Sequence, residues 1–233
     1  MANKKEQEIK KAEKRIENIE ETLTRSEEFI IKNQNSLIVG VLVILAIVLG
    51  YFGYQKYVIE PNTLDAQGQI YSAQQFFEAD SLDKALFGDG NHLGFVDIAK
   101  EYSSTKPGKL ANYYAGICFL KKGDYDKAIN YLSDFNLDDE LVAPMAQGAL
   151  GDAYLEKGDQ EKAVSQYLKA AAMKDNSFTA SLFYFKAAET LELMGKYEDA
   201  LANYQIIHDN YPTTKYGSNI DRYIAKMQTK LGK

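Results

Sequence analysis

The sequence predicts an all-α chain: a single transmembrane helix, then an α-solenoid of about three helical-hairpin repeats, with a degenerate leading repeat and a capping helix. Three observations carry this. Eighteen residues from Leu37 to Tyr54 contain no charge. Downstream, one pattern of small residue, large residue, glycine, alanine and second large residue recurs three times. The tail beyond it places its apolar residues on one helical face. With 45% hydrophobic and 26% charged residues, composition is close to globular averages, so the chain has material for a core.

Residues 1–36 form a charged leader in which Ile9, Ala12, Ile16, Ile19 and Leu23 recur at alternating steps of three and four. That spacing, flanked by Glu and Lys, is an a/d heptad seam on a helix. Interrupted at Ser26 and resumed at Ile30, it spans barely three heptads, too few to be stable alone. Two uses stay open: a solvated helix, or a coiled coil for dimerisation or partner docking.

Residues 37–57 are expected to be the anchor. As a helix, Leu37 to Tyr54 reaches about 27 Å, nearly a hydrocarbon core, and Tyr57, Val58 and Ile59 extend it. A soluble core helix seldom runs so far without a polar residue, because one face meets water. A cleaved export signal has a short basic leader, a shorter apolar run and a small-residue exit; here the exit reads "GYFGYQKYVIEP". Eight Lys and Arg precede the span, whereas only Lys56 follows it before Lys84, so the leader is expected in the cytosol and the body exported. Tyr51, Phe52, Tyr54 and Tyr57 would form an aromatic collar at the outer interface. Ala46, Gly50 and Gly53 share one face and offer a docking surface for another membrane helix.

The body carries the whole net charge of −6, because the leader's eight Lys and Arg cancel its eight Glu. Without a basic stripe it is not expected to bind nucleic acid. Residues 62–106 read as the degenerate leading repeat: a helix, the start of a second, a Gly-Asp-Gly-Asn turn and another short helix.

Residues 109–143, 144–180 and 181–212 are the three full repeats. Their marked places are Gly116, Phe119, Gly123, Ala128 and Leu132; then Gly151, Tyr154, Gly158, Ala163 and Tyr167; then Ala188, Leu191, Gly195, Ala200 and Tyr204. The first small residue lets paired helices approach, and the large residue packs between them. The glycine ends helix A in a left-handed turn, and the alanine sits where helix B crosses. Residues 213–233 form the capping helix, with Tyr216, Ile220, Tyr223, Ile224, Met227 and Leu231 on one face.

No chemical motif competes with this reading. Cys118 sits in an apolar helical stretch and is expected to be a small buried hydrophobe. His92 and His208 have no Cys or His at ligand spacing, so neither zinc nor another metal is expected, and no cofactor. "DFNLDDE" from Asp134 and "DGNHLG" from Asp89 begin like calcium loops, but Asp139, Met145 and Leu93 stand at places the ion's ligand geometry cannot use. An enzyme would need an acid/base pair, for which Asp152 with Glu189 is the sole candidate; no enzymatic activity is expected.

The repeated places resemble the tetratricopeptide repeat, whose period is near 34 residues; here the copies lie 35 and 37 apart. Trp is absent, and Glu140 stands where a closing proline is common, although Pro212 supplies it in the third copy. In that family certain helix-A places face a concave groove that binds proteins or extended peptide segments. The resemblance therefore implies a groove of Leu110, Tyr113, Ile117, Leu120 and Lys121, then Met145, Asp152 and Leu155, then Leu182, Phe185, Glu189 and Glu192. Members that grip a C-terminal carboxylate use Lys and Asn where this chain has Tyr113 and Ile117, so that clamp is not expected.

The layout of leader, anchor and small repeat array also resembles the single-pass ancillary subunit family of the bacterial SecYEG translocon, carried by "NQNSLIVGVLVILAIVLGYFGYQKY" and the Ala- and Tyr-rich helix after it. That likeness implies the bacterial inner membrane, a periplasmic repeat domain, the lipid bilayer and the Sec translocon as partners, and chaperone-like handling of exported proteins. The leader is longer than that family's. The alternative is an envelope scaffold that dimerises through the N-terminal coiled coil and organises another membrane complex.

Overall fold

The computed structural model describes Arg15, Glu27, residues 29–174 and residues 176–232. The heptad positions Ile9, Ala12, Ile16, Ile19 and Leu23 lie outside the described residues. The chain divides into two compact units, Met1–Val58 and Ile59–Lys233.

The first unit contains helix α1, Gln34–Tyr54, with no buried residue. It is long and apolar enough to cross a membrane by length and composition alone. A Cβ added at Gly50 or Gly53 meets nothing within 4 Å, so the small-residue face with Ala46 is open. Tyr51, Phe52, Tyr54 and Tyr57 are all exposed. A π-helical turn occupies Gln55–Ile59.

The described residues of the second unit are helical with no strand. Helix α2 is Glu60–Glu78, and two short helices follow, α3 Leu82–Phe87 and α4 Phe95–Glu101. Three hairpins come next: α5 Lys106–Lys121 with α6 Tyr125–Asp134, α7 Val142–Glu156 with α8 Gln160–Ala172, and α9 Ser177–Leu193 with α10 Tyr197–Asn210. A 3-10 turn, Gly217–Asn219, leads into α11, Ile220–Lys230. Each helix packs chiefly on its neighbours in sequence, the quasi-one-dimensional contact pattern of stacked repeats.

Local chemistry sets the ends. Thr105 accepts the Gly108 amide at 3.1 Å and opens α5 at Lys106, ahead of position 109. Asn176 accepts the Phe178 and Thr179 amides at 3.0 and 3.3 Å and opens α9 at Ser177, ahead of 181. Asp124 and Asp159 cap α6 and α8 through the amides of Lys127 and Lys162. Such caps satisfy amides that have no partner within the helix. At the other end, Gly123, Gly158 and Gly195 adopt φ of +78°, +87° and +74°. The amide after each glycine returns to the carbonyl of Phe119, Tyr154 or Leu191 at 2.9 Å. This is a Schellman closure, and a side chain at the glycine would strain it.

The small residue earlier in helix A has a measurable reason. A Cβ at Gly116 would lie 2.5 Å from Leu132 Cγ, and one at Gly151 2.6 Å from Tyr167 Cε1. Ala128, Ala163 and Ala200 are fully buried where helix B crosses. The leading segment obeys the same grammar with one substitution: Asp80 holds the glycine's place at φ +55°, its amide bonding Phe77 O, and Ser81 N returns to Phe76 O at 2.9 Å. Ala73 and Ala85, both fully buried, stand at the small-residue and crossing places. Its second helix is broken into α3 and α4 by the turn from Gly88 to Gly94, where Asp89 accepts the Asn91 and His92 amides. The capping helix shares the register too. Gly232, 37 residues beyond Gly195, has φ +71°, and Ala225 stands seven before it.

The hairpins are also joined by ions in register. A lysine beside the capping glycine reaches the acid at the second residue of the preceding helix B: Lys122 to Asp83 at 2.7 Å, Lys157 to Asp126, and Lys196 to Glu161 at 3.4 Å. These pairs are largely exposed, so each contributes little, though together they favour one stacking register. Cys118 is buried in the leading core with Phe95, Ile98 and Phe119, and burial pushes its thiol up to about 12. One carboxylate in each calcium-like segment caps a turn, Asp89 as above and Asp139 by accepting the Leu141 and Val142 amides at 2.9 and 2.7 Å, while Asp138 and Glu140 pair with Lys174.

Candidate functional site

In the second unit a groove of about 870 Å³ runs across the C-terminal halves of the A helices. Helix α5 contributes Leu120 and Lys121, α7 Asp152 and Leu155, and α9 Glu189, Glu192 and Leu193; α11 supplies Tyr223 and Lys226. Its centre is a closed polar triad. Lys186 Nζ lies 2.7 and 2.8 Å from the two Asp152 carboxylate oxygens, and the Tyr167 hydroxyl donates to Oδ1 at 2.5 Å. The ammonium also lies 5.6 Å from the centroid of the Tyr167 ring. Burial raises the Tyr167 hydroxyl's pKa, and the charges of Asp152, Glu156 and Glu189 raise it further. Lys226 pairs with Glu192, and Lys121 with Asp80 at 2.6 Å. Glu189 has no ion pair among the described residues; desolvation pushes its carboxyl above the usual range, and Glu192 adds to the shift.

A tetratricopeptide-repeat family model matches residues 115–178, and another matches residues 183–214. The matched segments carry tetratricopeptide repeats. Superkiller complex protein 3 of Homo sapiens is 24% identical over 163 residues, covering 66% of this chain and 9% of that protein. Superkiller complex protein 3 of Mus musculus is 29% identical over 115 residues, covering 49% of this chain and 7% of that protein. The chain thus spans less than a tenth of these curated relatives, so the likeness concerns the repeats rather than the whole molecules.

Within the tetratricopeptide array the expected groove residues separate into two sets. Leu120, Lys121, Asp152, Leu155, Glu189 and Glu192 come together in the groove. Leu110, Tyr113, Ile117, Met145, Leu182 and Phe185 do not line it. Leu110 packs into the leading core, Tyr113 and Ile117 against the Leu132 and Leu150 cluster, and Met145 and Leu182 around Tyr167 and Phe183. Phe185 is buried with its ring 4.9 Å from Tyr216 and Tyr223. Of these, Phe185 is buried and the other five are partly exposed; Ile117 holds the repeat place of Asp152 and Glu189 but packs against the Leu132 cluster instead.

Sequence reasoning missed Lys186, Tyr167, Tyr223 and Lys226 as groove residues. A signal existed: Asp152 and Lys186 lie 34 residues apart, about one repeat period, which brings residues of successive A helices side by side. Removing the shared acceptor tests the triad. Asp152→Ala leaves Lys186 and the buried Tyr167 hydroxyl unpaired and is expected to cost about 2 kcal/mol, with Asp152→Asn costing less because it keeps an acceptor. Urea unfolding of the full chain followed by circular dichroism measures both; equal costs for the two variants would contradict the account.

Proposed function

We propose that the chain is a membrane-anchored, non-enzymatic protein-binding adaptor. Helix α1 fixes it in the bacterial inner membrane, the leader stays in the cytosol, and the tetratricopeptide array faces the periplasm beside the Sec translocon. There the groove holds exported or chaperone proteins as extended segments. The observation that carries this reading is the coexistence on one chain of an apolar helix with no buried residue and a repeat array with an open groove. Tetratricopeptide-repeat domains bind proteins or peptides, and a groove with apolar walls and placed charges suits that use. The lysine and arginine bias ahead of α1 supports the orientation.

Two measurements test it. Protease added to intact cells with a permeabilised outer membrane is expected to digest the repeats while sparing the leader; protection of the repeats until the inner membrane is opened would overturn the orientation. Purification in mild detergent is expected to recover translocon or chaperone proteins, and their absence would remove that partner.

A further inference from the structure

The successive repeats hold the same three places differently. Six positions before the capping glycine, nine after it, and nine before the next one stand Ile117, Leu132 and Ala149 in the first repeat, all apolar. In the second, Asp152, Tyr167 and Lys186 hold these places and satisfy one another. In the third, Glu189 and Tyr204 repeat the acid and the phenol, but Tyr223 stands where the lysine should be. The consequence is visible twice. Glu189 has no ion pair among the described residues, and the Tyr204 hydroxyl, on a fully buried side chain, has no hydrogen-bond partner. That hydroxyl is close enough to Glu192 and Glu189 to feel both charges. The third site lacks one cation.

Among the described residues no lysine pairs with Glu189, although Lys186 and Lys226 are near enough to act on its charge. Lys186 is held by Asp152, Lys226 by Glu192 and Lys121 by Asp80. The groove lining carries three lysines against the four acids Asp152, Glu156, Glu189 and Glu192, so an anionic ligand would meet net repulsion. Beside Glu189, Leu155 and the 72% exposed Leu193 form an apolar shelf, and Tyr223 presents a ring. An aliphatic stem ending in a cation suits all three features. We propose that the groove takes a protein segment through a lysine or arginine side chain, with Glu189 as its counter-ion. This rests on reading the groove as the protein-binding surface.

The test uses the full chain, immobilised in mild detergent, and dye-labelled pools of end-blocked nonapeptides. The flanks are random mixtures of Ala, Leu, Ser and Tyr around a fixed central lysine, norleucine or glutamate. The lysine pool is expected to be retained about tenfold better than the norleucine pool, the scale of a charge-assisted contact. Glu189→Gln should remove that preference while still retaining the norleucine pool. Glu198→Gln, an exposed acid on α10 outside the groove lining, should leave it intact. Tyr223→Lys places the missing cation in the chain itself and should also abolish the preference, with melting curves confirming that each variant folds. Equal retention of the lysine and norleucine pools by the unaltered chain would overturn this inference and leave the groove reading standing. Retention of no pool would overturn both, and a preference that survives Glu189→Gln would overturn the assignment of Glu189.

Discussion

Gly148→Val is expected to break the joint between the second and third repeats. Gly148 lies in the interior of α7, where glycine ordinarily costs about 1 kcal/mol relative to alanine, so its presence needs a compensating reason. A Cβ there would lie 1.9 Å from Phe183 Cε1 and 2.2 Å from Cζ. Phe183 is almost wholly buried on α9 and stacks on Tyr167 at 6.4 Å between centroids. Its ring therefore occupies the space a side chain on α7 would take. The places equivalent to Gly148 in the other repeats are Tyr113 and Phe185, so only the middle hairpin opens this slot. Gly148→Ala should cost about 1–3 kcal/mol despite its helix propensity, and Gly148→Val more, because overpacking forces backbone shifts. Phe183→Ala alone should cost about 3–5 kcal/mol through the cavity it leaves. Combining Phe183→Ala with Gly148→Val refills part of that cavity, so the two costs should fall short of adding by about 1 kcal/mol or more. Urea unfolding of the four chains measures the cycle, and strict additivity would refute the slot. Because Lys186 and Glu189 ride on α9, the valine variant should also lose peptide retention in the groove.

That slot marks the boundary of what the sequence could disclose. The hairpins were legible because their grammar is local: a glycine with positive φ, a small residue seven before it and an alanine five after it constrain one another within a single hairpin. The leading repeat read as degenerate because Asp80 does the glycine's work; aspartate is among the few residues that tolerate the left-handed region. Once Asp80 is placed, Ala73, Phe76 and Ala85 fall in register. Helix starts were less legible, since Thr105 and Asn176 cap helices whose apolar pattern begins only later. The groove was half legible. Its outward places near the end of helix A, such as Asp152 and Glu192, follow from the register. Tyr113 and Phe185, ten places before the glycine, are amphipathic or apolar aromatics that fit a groove or a core equally well. Packing against Phe135 in one case and Tyr204, Tyr216 and Tyr223 in the other decides for the core. The Asp152–Lys186 pair needed knowledge that successive A helices lie side by side, which no single repeat contains.

If α1 is the anchor proposed above, two lysines in it, Val43→Lys with Ile47→Lys, are expected to release the chain from the membrane. Both residues are exposed, and four positions apart on a helix they share a face, so the change cannot be hidden by rotating the span. The run from Leu37 to Tyr54 holds twelve Leu, Ile, Val and Phe residues. Each favours insertion by about 0.3–0.6 kcal/mol at the centre of a span, so together they supply about 4–7 kcal/mol. A lysine at the centre opposes insertion by about 2.5–3.5 kcal/mol, and a pair therefore cancels most or all of that drive. Snorkelling cannot rescue both, because residues near mid-span are farthest from either headgroup layer. The conservative pair Val43→Leu with Ile47→Leu keeps the apolar length and should stay in the membrane. Alkaline carbonate extraction followed by flotation distinguishes them: the lysine variant should move to the soluble fraction and the leucine variant should float. Gly148→Val should behave in the opposite sense, floating with the membrane while its repeats are destabilised. If the double-lysine chain still floats after extraction, something other than the α1 span holds it, and the single-anchor reading fails independently of what the groove binds.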